Sequence, residues 1–194
     1  MIAIVDYKMG NLRSVENALK RLGAEFTVTS DAAVIRSADR VLMPGVGNAA
    51  EAMENLRAAS LVDVVRSLRR PVLGICVGMQ VMCRHSEEGD VACLNLFDAR
   101  VKRFVPSADL KVPHMGWNTI GNLESKLFKG IDGGEYVYFV HSYYPELCPD
   151  TIATSRHGVM FSAALKYENF YGTQFHPEKS GDVGERIIEN FLRL

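Results

Sequence analysis

The feature that most constrains the fold is an alternation of short apolar runs and helical periodicity in the first half of the chain. Ile2–Val5 is an uninterrupted apolar run, typical of a strand that is buried on both faces. Apolar residues then recur at helical spacing at Leu12, Val15, Leu19 and Leu22. Strand-like runs at residues 25–29, 40–43 and 72–75, with helical segments around 49–56 and 61–68, continue the pattern. This alternation predicts an open, mostly parallel α/β sheet with helices on both faces.

The second half of the chain has a different pattern, in which short strand-like segments are joined by turns. They cover residues 97–104, 112–120, 135–142, 151–155, 160–167 and 170–175, and a hairpin is predicted around residues 168 and 169. Apolar spacing predicts a closing helix around residues 187–192. No linker, repeat or low-complexity tract separates the two halves. We therefore expect one domain, residues 1–194, in which a parallel core carries added antiparallel strands.

Length, charge and cysteine usage exclude several classes of function. The 194 residues suit one domain with a sizeable core. With 22 basic and 23 acidic residues the net charge is −1, so no strong field favours nucleic acid or an anionic membrane. No apolar run suits a membrane span, and the first residues do not resemble a signal peptide. The four cysteines form no C-x-x-C pair, which argues against a zinc site or a thioredoxin-like motif. Because nothing suggests export, we expect reduced thiols in a cytoplasmic protein.

Three motifs follow predicted strands, which is where sites form in open α/β sheets. Residues 44–47 read Pro-Gly-Val-Gly, residues 74–78 read Gly-Ile-Cys-Val-Gly, and residues 174–178 read Gln-Phe-His-Pro-Glu. The second motif is typical of a nucleophile held on a sharp strand–turn–helix. A helix through residues 79–82 would favour a thiolate at Cys76, and the amide of Val77 would face an oxyanion. The alternative is a small apolar cysteine that ends a buried strand.

A cysteine nucleophile needs a base, and the base needs a group that orients it. His176 is the strongest candidate of the five histidines, because Glu178 follows two residues later and a proline between them stiffens the loop. The carboxylate would fix the imidazole tautomer and stabilise the imidazolium. A surface histidine beside a solvated acidic residue is the alternative. His85 adjoins residues 86–90, which resemble an exposed helix end, and His157 is predicted to lie in a hairpin turn.

With both motifs present, the sequence closely resembles the class I glutamine amidotransferases. Their nucleophile elbow resembles Gly-x-Cys-x-Gly-x-Gln, and their His-x-Glu pair follows much later in the chain, as here. By this resemblance the triad is Cys76, His176 and Glu178. Further motifs, at residues 6–14, 44–47, 113–118 and 138–143, resemble the glutaminase subunits of imidazole glycerol phosphate synthase. Val77 stands where that family more often has leucine, a mild departure because only the backbone amide is needed.

The resemblance implies an activity, a partner and further site residues. The chain would release ammonia from glutamine for a cyclase subunit with a (β/α)8 barrel, which uses it on a phosphoribosylated substrate of histidine biosynthesis. This implies a heterodimer, without cofactor or metal. The Val46–Gly47 peptide and Val77 would supply the oxyanion donors. Gly45, Gln80, Glu88, Ser142 and Tyr143 would bind glutamine. The implied interface residues are Asn11, Trp117, Tyr138 and Lys179, although the two aromatic residues would also suit a core.

Two other functions remain open on the sequence. One is a different cysteine hydrolase on a similar sheet, such as a γ-glutamyl hydrolase or a stand-alone amidase. Ammonia release from glutamine, compared with hydrolysis of γ-glutamyl peptides, separates these enzymes. The other is a binding subunit without activity, against which the complete set of Cys76, His176 and Glu178 argues. Labelling of Cys76 by a glutamine-like electrophile distinguishes this binding subunit from an active enzyme.

Overall fold

A computed structural model describes the whole chain, residues 1–194, and contains thirteen strands and six α-helices. The strands are β1 (Ile2–Val5), β2 (Phe26–Thr29), β3 (Arg40–Gly45), β4 (Val72–Cys76), β5 (His85–Ser86), β6 (Val91–Ala92), β7 (Arg100–Arg103), β8 (His114–Thr119), β9 (Tyr136–His141), β10 (Tyr143–Pro145), β11 (Thr151–His157), β12 (Val159–Tyr167) and β13 (Phe170–Thr173). The helices are α1 (Leu12–Arg21), α2 (Ala32–Ser37), α3 (Ala49–Ala58), α4 (Val62–Arg66), α5 (Val77–Gln80) and α6 (Gly181–Leu192), with short 3-10 turns at Lys126–Phe128 and Pro177–Lys179.

Seven strands form the central sheet, in the order β11-β12-β13-β4-β3-β1-β2. The five strands from β13 to β2 are parallel, whereas β12 and β11 are added in antiparallel orientation at one edge. Helices flank this sheet, and one continuous cluster of buried apolar residues extends from Ile2 to Phe191. The predicted fold class, a mostly parallel α/β sheet with added antiparallel strands, is therefore confirmed.

The central strands explain where a site can form. Every residue of β4 and of β13 is buried, and in β3 only the first residue is partly exposed, as expected for parallel strands covered on both faces. Because β3, β4 and β13 are parallel neighbours, their carboxyl ends meet at one edge of the sheet. The three motifs that follow these strands, at residues 44–47, 74–78 and 174–178, are thereby brought together.

The remaining strands of the second half form two smaller sheets. One has the order β10-β7-β5-β6, and the other is the hairpin of β8 and β9. The predicted hairpin at residues 168 and 169 joins β12 to β13, and His157 adjoins the turn between β11 and β12, as expected.

Three local predictions were wrong or incomplete. Residues 86–90 do not end a helix. Ser86 ends β5, and residues 87–90 form the turn of the β5–β6 hairpin, where Gly89 and Asp90 have positive φ angles. The helix after the elbow ends at Gln80 rather than continuing through residue 82. Helix α2 was not predicted, and it begins where Asp31 Oδ1 accepts hydrogen bonds from two amides of the first turn, 2.7 and 3.3 Å away. None of the helices has the length and apolar character needed to cross a membrane.

Candidate active site

Cys76 occupies a strained turn between β4 and α5. Its φ is +55° and its ψ is −112°, a combination that is costly for a residue with a side chain. The flanking glycines permit the close packing that holds this turn. A Cβ on Gly78 would lie 1.8 Å from the Met43 carbonyl oxygen, and one on Gly74 would lie 2.7 Å from the Gly78 carbonyl. The geometry is that of a nucleophile elbow, which directs the side chain away from the sheet.

His176 and Glu178 form a buried pair beside this turn. Nδ1 of His176 lies 2.7 Å from Oε1 of Glu178, and the two side chains are 2% and 3% exposed. The other ring nitrogen, Nε2, is buried and makes no hydrogen bond within the protein. Burial alone would lower the pKa of His176, but the Cys76 thiolate and the Glu178 carboxylate outweigh it and raise that pKa to about 10. The surroundings therefore favour an imidazolium next to the cysteine.

Cys76 and His176 line a cavity of about 160 Å³ at the carboxyl edge of the sheet. Most of the residues predicted to contact glutamine or its oxyanion lie in the same wall. The complete lining is Val46, Gly47, Cys76, Val77, Gln80, Glu88, Val140, His141, Ser142, Tyr143 and His176. Gly45 is not part of this lining. It pairs with Cys76 in the sheet, and a Cβ there would lie 2.5 Å from the Tyr7 hydroxyl, so Gly45 allows the strands beneath the cavity to pack closely.

Two backbone amides in this wall are available to a ligand. Val77 is the first residue of α5, so its N–H has no partner within the helix. The N–H of Gly47 makes no hydrogen bond in the protein, and Gly47 has a φ of +105° that residues with side chains rarely adopt. These are the two amides that the sequence predicts as oxyanion donors.

The polar side chains of the cavity differ in how they are held. Glu88 is half-buried, and its Oε2 accepts a hydrogen bond of 2.8 Å from the N–H of Ala49 at the start of α3. Burial raises the pKa of the Glu88 carboxyl, and that hydrogen bond opposes the shift. Gln80 is fully buried, and its Nε2 donates to the backbone oxygen of Tyr143 over 3.0 Å. Glu88 Oε1 therefore has no hydrogen-bond partner in the protein, whereas Gln80 holds the backbone of Tyr143 in place.

Three residues near the cavity had no predicted role. Gln174 is completely buried, and its Nε2 lies 3.7 Å from Cys76 Sγ. His114 and His141 join through Nδ1 and Nε2 at 3.0 Å, and His141 lines the cavity. The sequence contains a signal for Gln174, since it is a polar residue in the otherwise apolar segment that leads to His176. The histidines are buried among Phe104, Phe139 and Phe161.

These two histidines should make the fold sensitive to acid. Burial lowers the pKa of His114 to about 4 and that of His141 to about 3. Unfolded histidines titrate near pH 6.5, so the unfolded chain binds more protons below that pH. Stability should therefore be complete above about pH 6.5 and decline as the pH falls towards 4 and 3. At about 1.4 kcal/mol per pKa unit, this decline is at most about 3.5 kcal/mol for His114 and about 5 kcal/mol for His141.

Urea unfolding between pH 7 and pH 4.5 measures this effect as a slope of unfolding free energy against pH. His114→Gln should make the slope shallower, because one of the two groups no longer titrates. The matched control is His85→Gln, at a histidine outside the cluster, which should leave the slope as it is. An equal slope in His114→Gln and the parent chain would contradict the prediction.

The predicted interface residues lie outside the cavity. Trp117 and Tyr138 are directly opposite each other in the β8–β9 hairpin, with ring centroids 6.1 Å apart, and Trp117 is 56% exposed. Lys179 is exposed on the 3-10 turn that packs against both α1 and β9. Asn11 is exposed at the start of α1, where its side chain makes no capping hydrogen bond. Trp117 is thus a surface residue rather than part of the core.

Comparison with known proteins agrees with this fold. Residues 3–194 match the family model described as glutamine amidotransferase class-I. A solved structure of a glutamine amidotransferase superposes with a TM-score of 0.75 at 20% identity, covering 100% of this chain and 98% of that one. A glutamine amidotransferase from Thermotoga maritima gives a TM-score of 0.65 at 18% identity, covering 99% of this chain and 82% of that one. The chain belongs to the class I glutamine amidotransferase family.

Curated relatives narrow the family further. A protein of Bacteroides thetaiotaomicron is 57% identical over 194 residues, which cover 100% of this chain and 99% of the relative. One of Idiomarina loihiensis is 48% identical over 100% of this chain and 97% of the relative. Both bear the name imidazole glycerol phosphate synthase subunit HisH, so within its class the chain falls in the HisH family.

Proposed function

We propose that the chain is the glutaminase subunit of imidazole glycerol phosphate synthase, with Cys76 as its nucleophile. It hydrolyses glutamine to glutamate and ammonia and passes the ammonia to a cyclase subunit in histidine biosynthesis. The name of its relatives supports the pathway. The observation that carries the chemistry is the cavity in which a cysteine on a strained elbow adjoins the unpartnered Nε2 of a buried, carboxylate-paired histidine.

The first half of the reaction forms a thioester. The Cys76 thiolate attacks the side-chain carbonyl carbon of glutamine, and the carbonyl oxygen becomes an oxyanion that accepts hydrogen bonds from Val77 and Gly47. The tetrahedral intermediate then collapses, and the C–N bond breaks. His176 donates its Nε2 proton to the leaving nitrogen, which departs as ammonia. Before this transfer, the Glu178 carboxylate holds the imidazole ring through the Nδ1 atom of His176 and balances the positive charge of the imidazolium.

The second half regenerates the thiolate. His176, now neutral, takes a proton from a water molecule, and the resulting hydroxide oxygen attacks the thioester carbonyl. The same two amides stabilise the second oxyanion. The C–S bond then breaks, glutamate leaves with the oxygen from water, and Cys76 and His176 return to the thiolate and imidazolium forms.

The amino-acid end of glutamine requires its own contacts. We assign its ammonium group to Glu88, whose Oε1 makes no hydrogen bond in the protein and whose carboxylate lines the cavity. We assign its carboxylate to the backbone of Ser142 and Tyr143, which Gln80 braces from below. Gly45 acts indirectly, by letting the strands beneath the cavity approach each other.

We propose that the partner is a (β/α)8-barrel cyclase that forms a heterodimer with this single-domain chain. The exposed Trp117 ring, with the half-buried Tyr138 ring opposite it, supports an interface there, since aromatic residues are enriched at such surfaces. Lys179 and Asn11 would extend it. All four cysteines are free thiols, which favours the cytoplasm as the compartment.

Two measurements test the proposal. The rate of ammonia release from glutamine should be much higher than the rate of γ-glutamyl transfer or hydrolysis with γ-glutamyl peptides. The reverse order of these rates would indicate a different hydrolase. Co-expression with a barrel-type cyclase should yield a complex that copurifies in equal amounts. A chain that neither releases ammonia nor reacts with a glutamine-like electrophile at Cys76 would be a binding subunit instead.

Glu178→Gln should slow glutamine hydrolysis about 10²–10⁴-fold, the contribution that general acid–base catalysis typically makes. The neutral amide cannot stabilise the imidazolium, and its NH2 group can face Nδ1 and favour the wrong tautomer. The cyclase accepts ammonia from any source, so a complex with Glu178→Gln should still form product from added ammonium salt. Steady-state rates with glutamine and with ammonium measure both effects.

The matched control for this substitution is Glu25→Gln, because the exposed side chain of Glu25 makes no ion pair or hydrogen bond. It should leave both rates unchanged. If high ammonium did not restore product formation in an intact Glu178→Gln complex, the chain would do more than supply ammonia.

A further inference from the structure

We propose that Gln174 is a further catalytic residue, which donates a hydrogen bond from its side-chain amide to the sulfur of the nucleophile. The inference rests on the proposed role of Cys76. Gln174 follows β13 and is completely buried, and its Nε2 lies 3.7 Å from Cys76 Sγ, within the range of a hydrogen bond to sulfur. The backbone oxygen of Val140 also contacts the sulfur, at 3.9 Å, but a carbonyl can only accept. Gln174 is therefore a donor side chain at this sulfur, in addition to the neighbouring His176.

The orientation of the Gln174 amide decides whether it faces the sulfur with a donor or an acceptor. A backbone oxygen fixes that choice, because it can only accept hydrogen bonds. The oxygen of Tyr143 lies 3.0 Å from Gln80 Nε2, so the NH2 group of Gln80 must point to it. The second hydrogen on the same nitrogen then points to Gln174 Oε1, 2.9 Å away. The opposite end of the Gln174 amide, its NH2 group, is thereby directed at Cys76.

A second series of hydrogen bonds holds the Tyr143 oxygen in place. His141 Nδ1 lies 2.8 Å from it and must therefore donate. Because burial keeps His141 neutral, its Nε2 accepts from Nδ1 of His114 over 3.0 Å. The Nε2 of His114 accepts in turn from Asn118 Nδ2 at 3.1 Å. Each ring has one donor and one acceptor used, so every tautomer in the series is determined.

Asn118, at the other end of this series of hydrogen bonds, independently determines the same donor-to-acceptor direction. Its Oδ1 accepts a hydrogen bond of 2.8 Å from the N–H of Thr119, which leaves its NH2 group to face His114 and the backbone oxygen of Arg156. The assignments made from the hairpin and from the Tyr143 oxygen agree at both histidines. A fully satisfied polar network of this kind stays rigid and specifies one arrangement, so Gln174 is held as a donor.

A donor aimed at sulfur stabilises the thiolate more than the thiol, because charged acceptors form the stronger hydrogen bonds. Removing it should lower the thiolate fraction at neutral pH. The remaining thiolate should be more reactive, because intrinsic nucleophilicity increases as the sulfur becomes more basic. A residue with a structural role alone would change neither quantity in this combination.

The test is the pH profile of Cys76 alkylation by iodoacetamide in the full chain, followed by mass spectrometry of the Cys76 peptide. In Gln174→Met, which keeps the side-chain length without a donor, the midpoint of the profile should rise by about one pH unit, a tenfold change in thiolate fraction. The rate at high pH should equal or exceed that of the parent chain. A lower plateau with an unchanged midpoint would overturn the proposal, because it would indicate misplacement of Cys76.

The matched control is Thr173→Val, one residue earlier in the chain. The Thr173 hydroxyl is buried and makes no hydrogen bond, so its removal tests the effect of an altered buried polar group next to Gln174. Its alkylation profile should match that of the parent chain. The other titratable groups near the sulfur, His176 and Tyr7, are present in both variants.

A measurement on the unsubstituted chain covers the case in which Gln174→Met does not fold. The side-chain NH2 resonances of Gln174 should shift as Cys76 ionises and should change again after alkylation. Constant resonances through both steps would overturn the inference. If instead Cys76 does not react with glutamine-like electrophiles and Cys76→Ser retains full turnover, the proposed function fails, and this outcome is distinct from an unmoved midpoint at a reactive Cys76.

Discussion

Cys76→Ser should retain the fold and lose nearly all glutamine hydrolysis, with a decrease in kcat of at least about 10⁴-fold, as when other activated nucleophiles are removed. A serine hydroxyl ionises far less readily than a thiol beside an imidazole. Cys76 and Glu178 together raise the pKa of His176 to about 10, and a neutral serine hydroxyl would remove one of these two anionic neighbours. Ammonia release from glutamine, with circular dichroism as a check on folding, measures the effect.

The other cysteines provide the controls for this substitution. Cys83 is completely buried and its Sγ donates to the backbone oxygen of Met79, with no contact to the cavity. Cys83→Ser should therefore leave turnover unchanged if the protein remains folded. If it abolished turnover while Cys76→Ser remained active, the elbow would not be the catalytic site.

Gly47→Pro should abolish the increase in kcat that we expect when the partner binds. Free ammonia would be wasted, so the isolated chain should hydrolyse glutamine slowly, faster in the complex, and faster again when the cyclase site is occupied. Proline has no N–H to offer an oxyanion, and the loss of one such donor typically costs about 10²–10³ in rate. Its ring also excludes the φ of +105° that Gly47 adopts. Glutamine binding should largely persist, because the oxyanion forms only during the reaction.

Gly47→Ala separates these two effects. A Cβ at this position meets only the terminal methyl group of Met9, at 3.4 Å, so space is available, and the N–H remains. Alanine should therefore retain part of the activation and be limited by the positive φ alone. Steady-state glutaminase rates with and without partner and cyclase ligand measure the series. An isolated chain that hydrolyses glutamine as fast as the liganded complex would contradict the switch. Equal losses of activation in Gly47→Ala and Gly47→Pro would show that the positive φ, rather than the N–H, is responsible.

The sequence was sufficient to predict the elements and motifs that are formed by residues close together in the chain. The apolar runs at β1, β3 and β4 predicted a parallel core, because a strand that is buried on both faces has apolar residues at every position rather than at alternate ones. The elbow and the pair of His176 and Glu178 were predicted because each is a short motif after a strand. The cavity followed from the order of the strands, since parallel neighbours place their carboxyl ends at one edge.

What the sequence did not predict depends on pairing between distant segments. Strand β7 was predicted as a strand, but its partners, β5 and β10, could not be identified from periodicity. Residues 87–90 are charged and polar in composition, and only the pairing of β5 with β6 makes them a turn. The role of Gln174 required the amide orientation of Gln80 and the position of one carbonyl on β10.

The backbone of Tyr138 connects the β8–β9 hairpin to the loop that carries His176. Its backbone oxygen accepts from the N–H of His176 at 2.9 Å, and its backbone N–H donates to the hydroxyl of Ser180, which itself donates to the His176 oxygen. The hairpin that carries Trp117 and Tyr138 is thus joined to the histidine loop through its own main-chain atoms. The side chain of Tyr138 takes no part in this link, so a substitution at position 138 other than proline keeps both main-chain atoms that hold the histidine loop. A designer could therefore redirect this protein to a new partner by recasting the hairpin's outer face while leaving its catalytic geometry intact.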